Sequence, residues 1–186
     1  MKRLAIFASG SGSNAENIAR YFSDKPEFEI SAILSNNANA FVLSRARSLN
    51  IPTLVFSRSE FNKTDKIVSF LAEKKVDFIV LAGFIWLLPL NLLRKYPDSI
   101  VNIHPALLPK YGGKGMYGMN VHKAVVENKE KESGITIHMI NEKYDEGRII
   151  YQAKCSIAPN DTPEDVAEKI HKLEYEFFPK IIEQLL

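Results

Sequence analysis

A single cysteine, Cys155, stands in the whole sequence, which excludes an intrachain disulfide and any metal cluster built on thiolates. Long apolar runs are also missing. The most apolar stretch, Phe78 to Leu88, stops at Pro89, short of the roughly 18 residues that suggest a membrane span. There is no block of like charge: lysines are spread along the chain and the net charge is only +2, which argues against nucleic acid as a partner and leaves anionic small substrates open. No serine or cysteine lies in a nucleophile-elbow context, so a covalent intermediate is not expected. The basic pair Lys2-Arg3 runs into Gly-Ser punctuation too soon for a signal peptide, and a cytoplasmic protein is the plain expectation. Internal repeats and low-complexity segments are absent as well.

What the chain does contain is an alternation of strand and helix patterns. At 186 residues and 46% hydrophobic, it can bury one core, and the expectation is one domain over residues 1–186. Leu4 to Ala8 and Asp77 to Ala82, the latter apolar from Phe78 on, read as strands covered on both faces. Glu29 to Ser35 and Thr53 to Phe56 read as further strands, Ala15 to Phe22 and Ala40 to Leu49 as helices. Thr64 to Glu73 carries Ile67, Phe70 and Leu71 at helical spacing, and Pro89 opens another helix. Ser99 to Ile103 is the next strand. This order implies an α/β fold with a mostly parallel sheet and helices on both faces. After Val121 to Asn128, which reads as helix, Ile135 to Ile140 and Arg148 to Ile157 alternate as two strands. Their connection is too short for a crossover, so they should be antiparallel. Thr162, Pro163 and Asp165 mark the start of a final helix, with Pro179 a place for it to kink.

Two stretches carry chemistry. Ser9-Gly10-Ser11-Gly12-Ser13-Asn14 lies between the first strand and the first helix, with Ser13 and Glu16 spaced as a capping box. Such a turn offers free N–H groups and the positive end of a helix to an anion. Gly10, Gly12 and Ala15 also fit the dinucleotide fingerprint, but Leu34-Ser35-Asn36-Asn37 supplies no acid for the ribose hydroxyls. A lone phosphate monoester suits the loop better; a tight turn without ligand is the plain alternative. The second stretch, Ser99 to Gly118, reads S-I-V-N-I-H-P-A-L-L-P-K-Y-G-G-K-G-M-Y-G. Asn102 and His104 leave one face of a strand end, and Pro105 then forbids a continuing ladder. An amide there can donate to an oxyanion and an imidazole can move a proton near neutral pH. A carboxylate is wanted beside that imidazole, and Asp145, in the hairpin turn ended by Gly147, is the candidate, although an aspartate in a turn is ordinarily a solvated turn former. His122, His138 and His171 read as packing or surface residues. Phe84 to Leu88 reads as core, or as the apolar wall of a flat heterocycle's pocket. All three strand ends, at residues 10–14, 83–88 and 102–105, are expected to meet at one crevice.

In that order, S-G-S-G-S-N at 9–14, L-A-G-F at 81–84, N-I-H-P-A-L-L-P-K-Y at 102–111 and Y-D-E-G at 144–147 resemble the folate-dependent formyltransferase family, and within it the phosphoribosylglycinamide formyltransferases. The N-x-H-P-x-L-L-P and D-x-G pieces are shared with methionyl-tRNA formyltransferase and formyltetrahydrofolate deformylase; the S-G-x-G-S-N loop is the more specific. The resemblance implies a Rossmann-like formyltransferase fold with a phosphate-binding N-terminal half and a folate-binding, catalytic C-terminal half. It implies transfer of the formyl group of 10-formyltetrahydrofolate to the amine of 5-phosphoribosylglycinamide in purine biosynthesis, without a metal, by a monomer or homodimer. Asn102, His104 and Asp145 match the catalytic trio. Gly12, Ser13 and Asn14 match the phosphate loop, and Glu174 matches a ribose contact. Lys63, Ile85, Trp86, Leu87, Leu88 and Asn102 match folate contacts, with Trp86 standing where some members carry arginine. Two other functions stay open on the residues alone: a formyltetrahydrofolate hydrolase that uses the trio on water, and a non-catalytic nucleotide-binding module in which His104 is structural.

Overall fold

The computed structural model describes residues 1–186 as two compact units, Met1–Val101 with Leu186, and Asn102–Leu185. In the first unit the apolar runs become buried parallel strands. These are β1 (Lys2–Phe7), β2 (Phe28–Ser35), β3 (Thr53–Val55) and β4 (Phe78–Leu81). β1 pairs in parallel with both β2 and β4, and β2 with β3. Leu4, Ala5, Ile6, Phe7 and Ala8 are fully buried, because a strand flanked on both sides and covered on both faces keeps no solvent face for polar residues. The helices of this unit are α1 (Ser13–Phe22), α2 (Val42–Ser48), α3 (Arg58–Lys63), α4 (Lys66–Glu73) and α5 (Leu90–Lys95).

Two local expectations change here. Helix α3 precedes the helix read at Thr64, and a capping box starts it: Ser57 Oγ accepts the Glu60 N–H at 3.2 Å, while Glu60 Oε2 accepts the Ser57 N–H at 2.7 Å. Conversely, Ser13 and Glu16 do not form the box their spacing suggests. Gly12 is the N-cap, in the left-handed region at φ 73°, and no side chain caps the helix. Glu16 is drawn instead to Arg20, at 2.8 Å, and to Arg45 on α2.

The strand β5 (Ile100–His104) begins in the first unit and ends in the second, which continues with α6 (Met119–Glu127), β6 (Glu132–Met139), β7 (Ile149–Ser156) and α7 (Pro163–Leu185). The order of the seven strands is β3-β2-β1-β4-β5-β6-β7, and β6 and β7 are antiparallel, as their short connection requires. Thr162 and Asp165 cap α7 reciprocally, at 3.2 and 2.8 Å. The helix remains helical through Pro179 and buries Val166, Ile170, Phe178 and Ile182. No helix is long and apolar enough to cross a membrane. Six non-glycine residues have positive φ: Asn50, Lys75, Asp98, Tyr111, Lys129 and Asp145. Asn50, Lys75 and Lys129 follow the ends of α2, α4 and α6, where a left-handed residue closes a helix.

Candidate active site

Asn102, His104 and Asp145 all belong to the second unit, and the fold brings them together. β5 delivers Asn102 and His104; the turn between β6 and β7 delivers Asp145, which adopts φ 54°. Asp145 Oδ2 lies 3.6 Å from His104 Nδ1, and its Oδ1 lies 3.6 Å from His138 Nε2. The carboxylate is anchored by the Gly113 N–H, which donates to Oδ2 at 2.8 Å. His104, only 4% exposed, has its other nitrogen fixed as well: Nε2 is 2.7 Å from the backbone oxygen of Tyr111. Since a carbonyl only accepts, Nε2 carries a proton. Nδ1 is therefore the nitrogen left without a full hydrogen bond, and it faces the carboxylate.

His138, read from sequence as a packing residue, completes the cluster. Its Nδ1 sits 3.1 Å from the Met139 carbonyl and so donates; its Nε2 then accepts from Asn102 Nδ2 at 3.0 Å. That contact sets which way the Asn102 amide points and leaves the second amide hydrogen unspoken for. Three further residues without a sequence signal hold the Pro105 to Tyr111 loop. Thr136 Oγ1 accepts the Leu108 N–H at 3.0 Å and donates to the Ala106 carbonyl at 2.7 Å, and Gln152 Nε2 donates to Leu108 O at 3.1 Å. Glu130 Oε1 accepts from the Tyr111 hydroxyl at 2.9 Å.

The glycine loop lies in the first unit. A Cβ on Gly12 would collide with the Cα and Cβ of Val42, so α2 packs directly on the turn and only glycine fits. Arg45 Nε donates to the Ser11 carbonyl at 3.0 Å, placing a guanidinium beside the turn that sequence reading did not single out. Ile85 and Leu87 are exposed, whereas Leu88 is only 5% exposed and its side chain belongs to the core. Trp86 turns inward against Phe56 and Phe61, with the Arg58 guanidinium 4.9 Å from its ring centre, a cation–π distance. Lys63 ends α3 in solvent. Lys63, Ile85, Trp86, Leu87 and Leu88 thus fall in Met1–Val101, and Asn102, the other folate candidate, in the second unit. Glu174 is buried on α7 and accepts from His171 Nδ1 at 2.9 Å.

Comparison with known proteins decides the family. The formyl transferase family model matches residues 2–182. The chain belongs to the formyl transferase family. A chloroplastic phosphoribosylglycinamide formyltransferase of Arabidopsis thaliana is 40% identical over 97% of this chain, and a phosphoribosylglycinamide formyltransferase of Haemophilus influenzae is 37% identical over 98%. The chain spans 86% of the latter's length but 64% of the former's, and 61% of a relative from Vigna unguiculata. Among solved structures, glycinamide ribonucleotide transformylase 1 of Geobacillus kaustophilus matches with a TM-score of 0.90 at 33% identity, covering 100% of this chain and 99% of that one. The phosphoribosylglycinamide formyltransferase of Anaplasma phagocytophilum gives 0.89 at 35% identity, covering 97% and 84%.

Buried imidazoles give the fold an expected dependence on pH. Burial pushes the His138 imidazole below its ordinary value, with Asp145 opposing, and burial lowers His122 in the same way. For both, the unfolded chain binds protons more readily, so their contribution is complete above about pH 6.5 and is lost as pH falls from there through the lower folded value. His171 runs the other way. Glu174 raises it, so its stabilisation is present below about pH 6.5 and lost as pH rises through the folded value, but its side chain is 50% exposed and its share is screened. We expect a lower thermal midpoint at pH 5.5 than at pH 7.5, a window above about 4.5 that leaves ordinary carboxylates ionised. An equal or higher midpoint at the lower pH would refute this.

Proposed function

We propose that the chain transfers the formyl group of 10-formyltetrahydrofolate to the glycinamide amine of 5-phosphoribosylglycinamide. The observation that carries this reading is the meeting of Asn102, His104 and Asp145 in a chain whose family transfers formyl groups. The amine attacks the formyl carbon and a C–N bond forms; the formyl oxygen becomes an oxyanion. The free amide hydrogen of Asn102 and a protonated His104 donate to that oxyanion, which is worth most where water is kept out. Asp145 faces His104 Nδ1 and sets a negative charge beside the ring; the proton shed by the amine passes through this pair to the folate N10 as the carbon–N10 bond breaks. Tetrahydrofolate leaves with that proton, and no covalent enzyme intermediate is formed.

The remaining assignments rest on the resemblance to the family. The Gly12, Ser13 and Asn14 turn, at the start of the ten-residue helix α1, is assigned the 5′-phosphate, which Arg45 beside it supports by charge. Glu174 is assigned the ribose hydroxyls, as an acceptor. Ile85 and Leu87 offer an exposed apolar surface for the folate ring, Lys63 is a free cation for its acidic tail, and the Trp86 and Leu88 side chains act from behind that surface.

The test is a folate absorbance assay with 10-formyltetrahydrofolate, run with and without 5-phosphoribosylglycinamide. We expect folate product only when the ribonucleotide is present. Equal product without it would mean hydrolysis, and no product in either case would refute the proposed acceptor.

A further inference from the structure

The mechanism uses His104 Nδ1, and the ring can present Nδ1 to Asp145 only while the Tyr111 carbonyl holds Nε2 at 2.7 Å. Rotating the imidazole by half a turn would exchange nitrogens for carbons at both contacts. The position of one backbone oxygen is thus a condition for the geometry. Tyr111 reaches it by adopting φ 56°, a left-handed conformation unfavourable for a bulky side chain, which persists only when the surroundings enforce it. The glycines that follow, Gly112 and Gly113, give the chain ample freedom to relax from it.

What enforces it lies on the far side of the tyrosine. Its hydroxyl donates to Glu130 Oε1 at 2.9 Å, and Lys110 Nζ meets the same carboxylate at 2.9 Å. Glu130 is itself fixed: its N–H donates to the Val125 carbonyl at 3.2 Å, closing α6, directly after Lys129 in its own left-handed turn. The hydroxyl is a committed donor. Burial and Glu130 push its pKa up to about 12, and Lys110, then Tyr111, hold the Glu130 carboxyl below the usual carboxylate range. The shared partner spans both residues of the loop, so releasing it frees Lys110 and Tyr111 together.

We infer that Glu130 is a positioning residue for the reaction, acting through the Tyr111 hydroxyl to hold the Tyr111 carbonyl against His104 Nε2. The partners of Glu130 are the Tyr111 hydroxyl, Lys110 and, through its own N–H, the Val125 carbonyl. Glu130 fixes which nitrogen of His104 carries the standing hydrogen bond and which is offered to the reaction. This rests on the catalytic role proposed for His104, but the geometry itself can be measured without turnover.

The experiment compares Tyr111→Phe, Glu130→Ala, Glu130→Gln and the double variant Tyr111→Phe/Glu130→Ala with the unaltered protein. Since misplacement by about 1 Å can cost about 100-fold and the loop here is loosened but not displaced, we expect kcat to fall by roughly 10-fold in Tyr111→Phe and in Glu130→Ala. KM for both substrates should stay within about twofold, as for a loss felt only in the transition state. The double variant should be no worse than either single one, because both break one chain of contacts. Glu130→Gln, whose amide oxygen can still accept from the hydroxyl, should recover much of the rate. In parallel, ¹⁵N NMR of the His104 ring should show a protonated, solvent-protected Nε2 in the unaltered protein and its loss of protection in the first two variants. Unchanged kcat in both single variants, or a slowed enzyme whose His104 Nε2 signal is unmoved, would overturn the inference. If the unaltered protein shows no formyl transfer, the proposed function fails, and the NMR comparison alone decides whether Glu130 positions His104.

Discussion

Replacing His104 with alanine is expected to lower kcat for formyl transfer by about 10²- to 10⁴-fold, the range spanned by a positioned general acid or base. The size of the loss comes from the surroundings of the ring. His104 is nearly fully buried, its Nε2 held by the Tyr111 carbonyl and its Nδ1 facing Asp145 at 3.6 Å, so no solvent molecule reproduces its proton at the same place. Binding should behave differently. The groups assigned to the ribonucleotide, Gly12 to Asn14 and Glu174, are elsewhere in the chain, so its dissociation constant by calorimetry should change by no more than about twofold, the pattern of an interaction made only in the transition state. Because alanine leaves a cavity where an imidazole was, His104→Gln serves beside it; it keeps most of the volume and should lose rate to the same order. Near-normal turnover in either variant would refute the mechanism, and a large loss of binding with little loss of kcat would make His104 a ligand contact instead.

Gly147→Ala should be nearly as damaging although residue 147 carries no functional group. A Cβ there would fall on the Met139 carbonyl oxygen and lie 3.5 Å from His138 Nδ1. That oxygen is backbone of β6 and already accepts from His138, so it has nowhere to go. The turn must lift instead, and Asp145 rides on the turn. With displacement of about 1 Å costing about 100-fold, we expect kcat to fall by at least about that much. Overpacking against backbone should also cost about 1–3 kcal/mol of stability, read as a lower urea midpoint at unchanged slope. A folded Gly147→Ala protein with ordinary kcat would show that the hairpin does not set the position of Asp145.

These effects also show what a sequence can and cannot express. Asn102, His104 and Pro105 were legible because the chemistry and the strand end are adjacent in the chain, and the parallel core was legible because β1 and β4 are unbroken apolar runs. His138 was not: alternation reveals that it points from a buried strand, but not that Asn102, 36 residues earlier, supplies its partner. The Ser13 and Glu16 spacing misled for the same reason. A capping box is a local contest, and Arg45, 29 residues away, won the carboxylate. Helix α3 was missed because its six residues are too few to show a period, although the Ser57 and Glu60 signal was present. Gly12 could be read as a turn glycine, but the Val42 side chain that makes it irreplaceable is a fact of packing.

The left-handed residues have a bearing on how this protein could change under selection. Lys75 and Lys129 sit at helix ends in a conformation that costs a side chain about 1 kcal/mol relative to glycine, and neither side chain has a role that glycine would forfeit. Tyr111 and Asp145 bear the same backbone strain, but their carbonyl, hydroxyl and carboxylate are what hold His104. A lineage pressed for heat tolerance has the first pair free to drift to glycine, whereas the second pair is frozen. The chain therefore keeps a reserve of unclaimed stability at its helix ends, and an equal amount committed in the two segments that pack around His104.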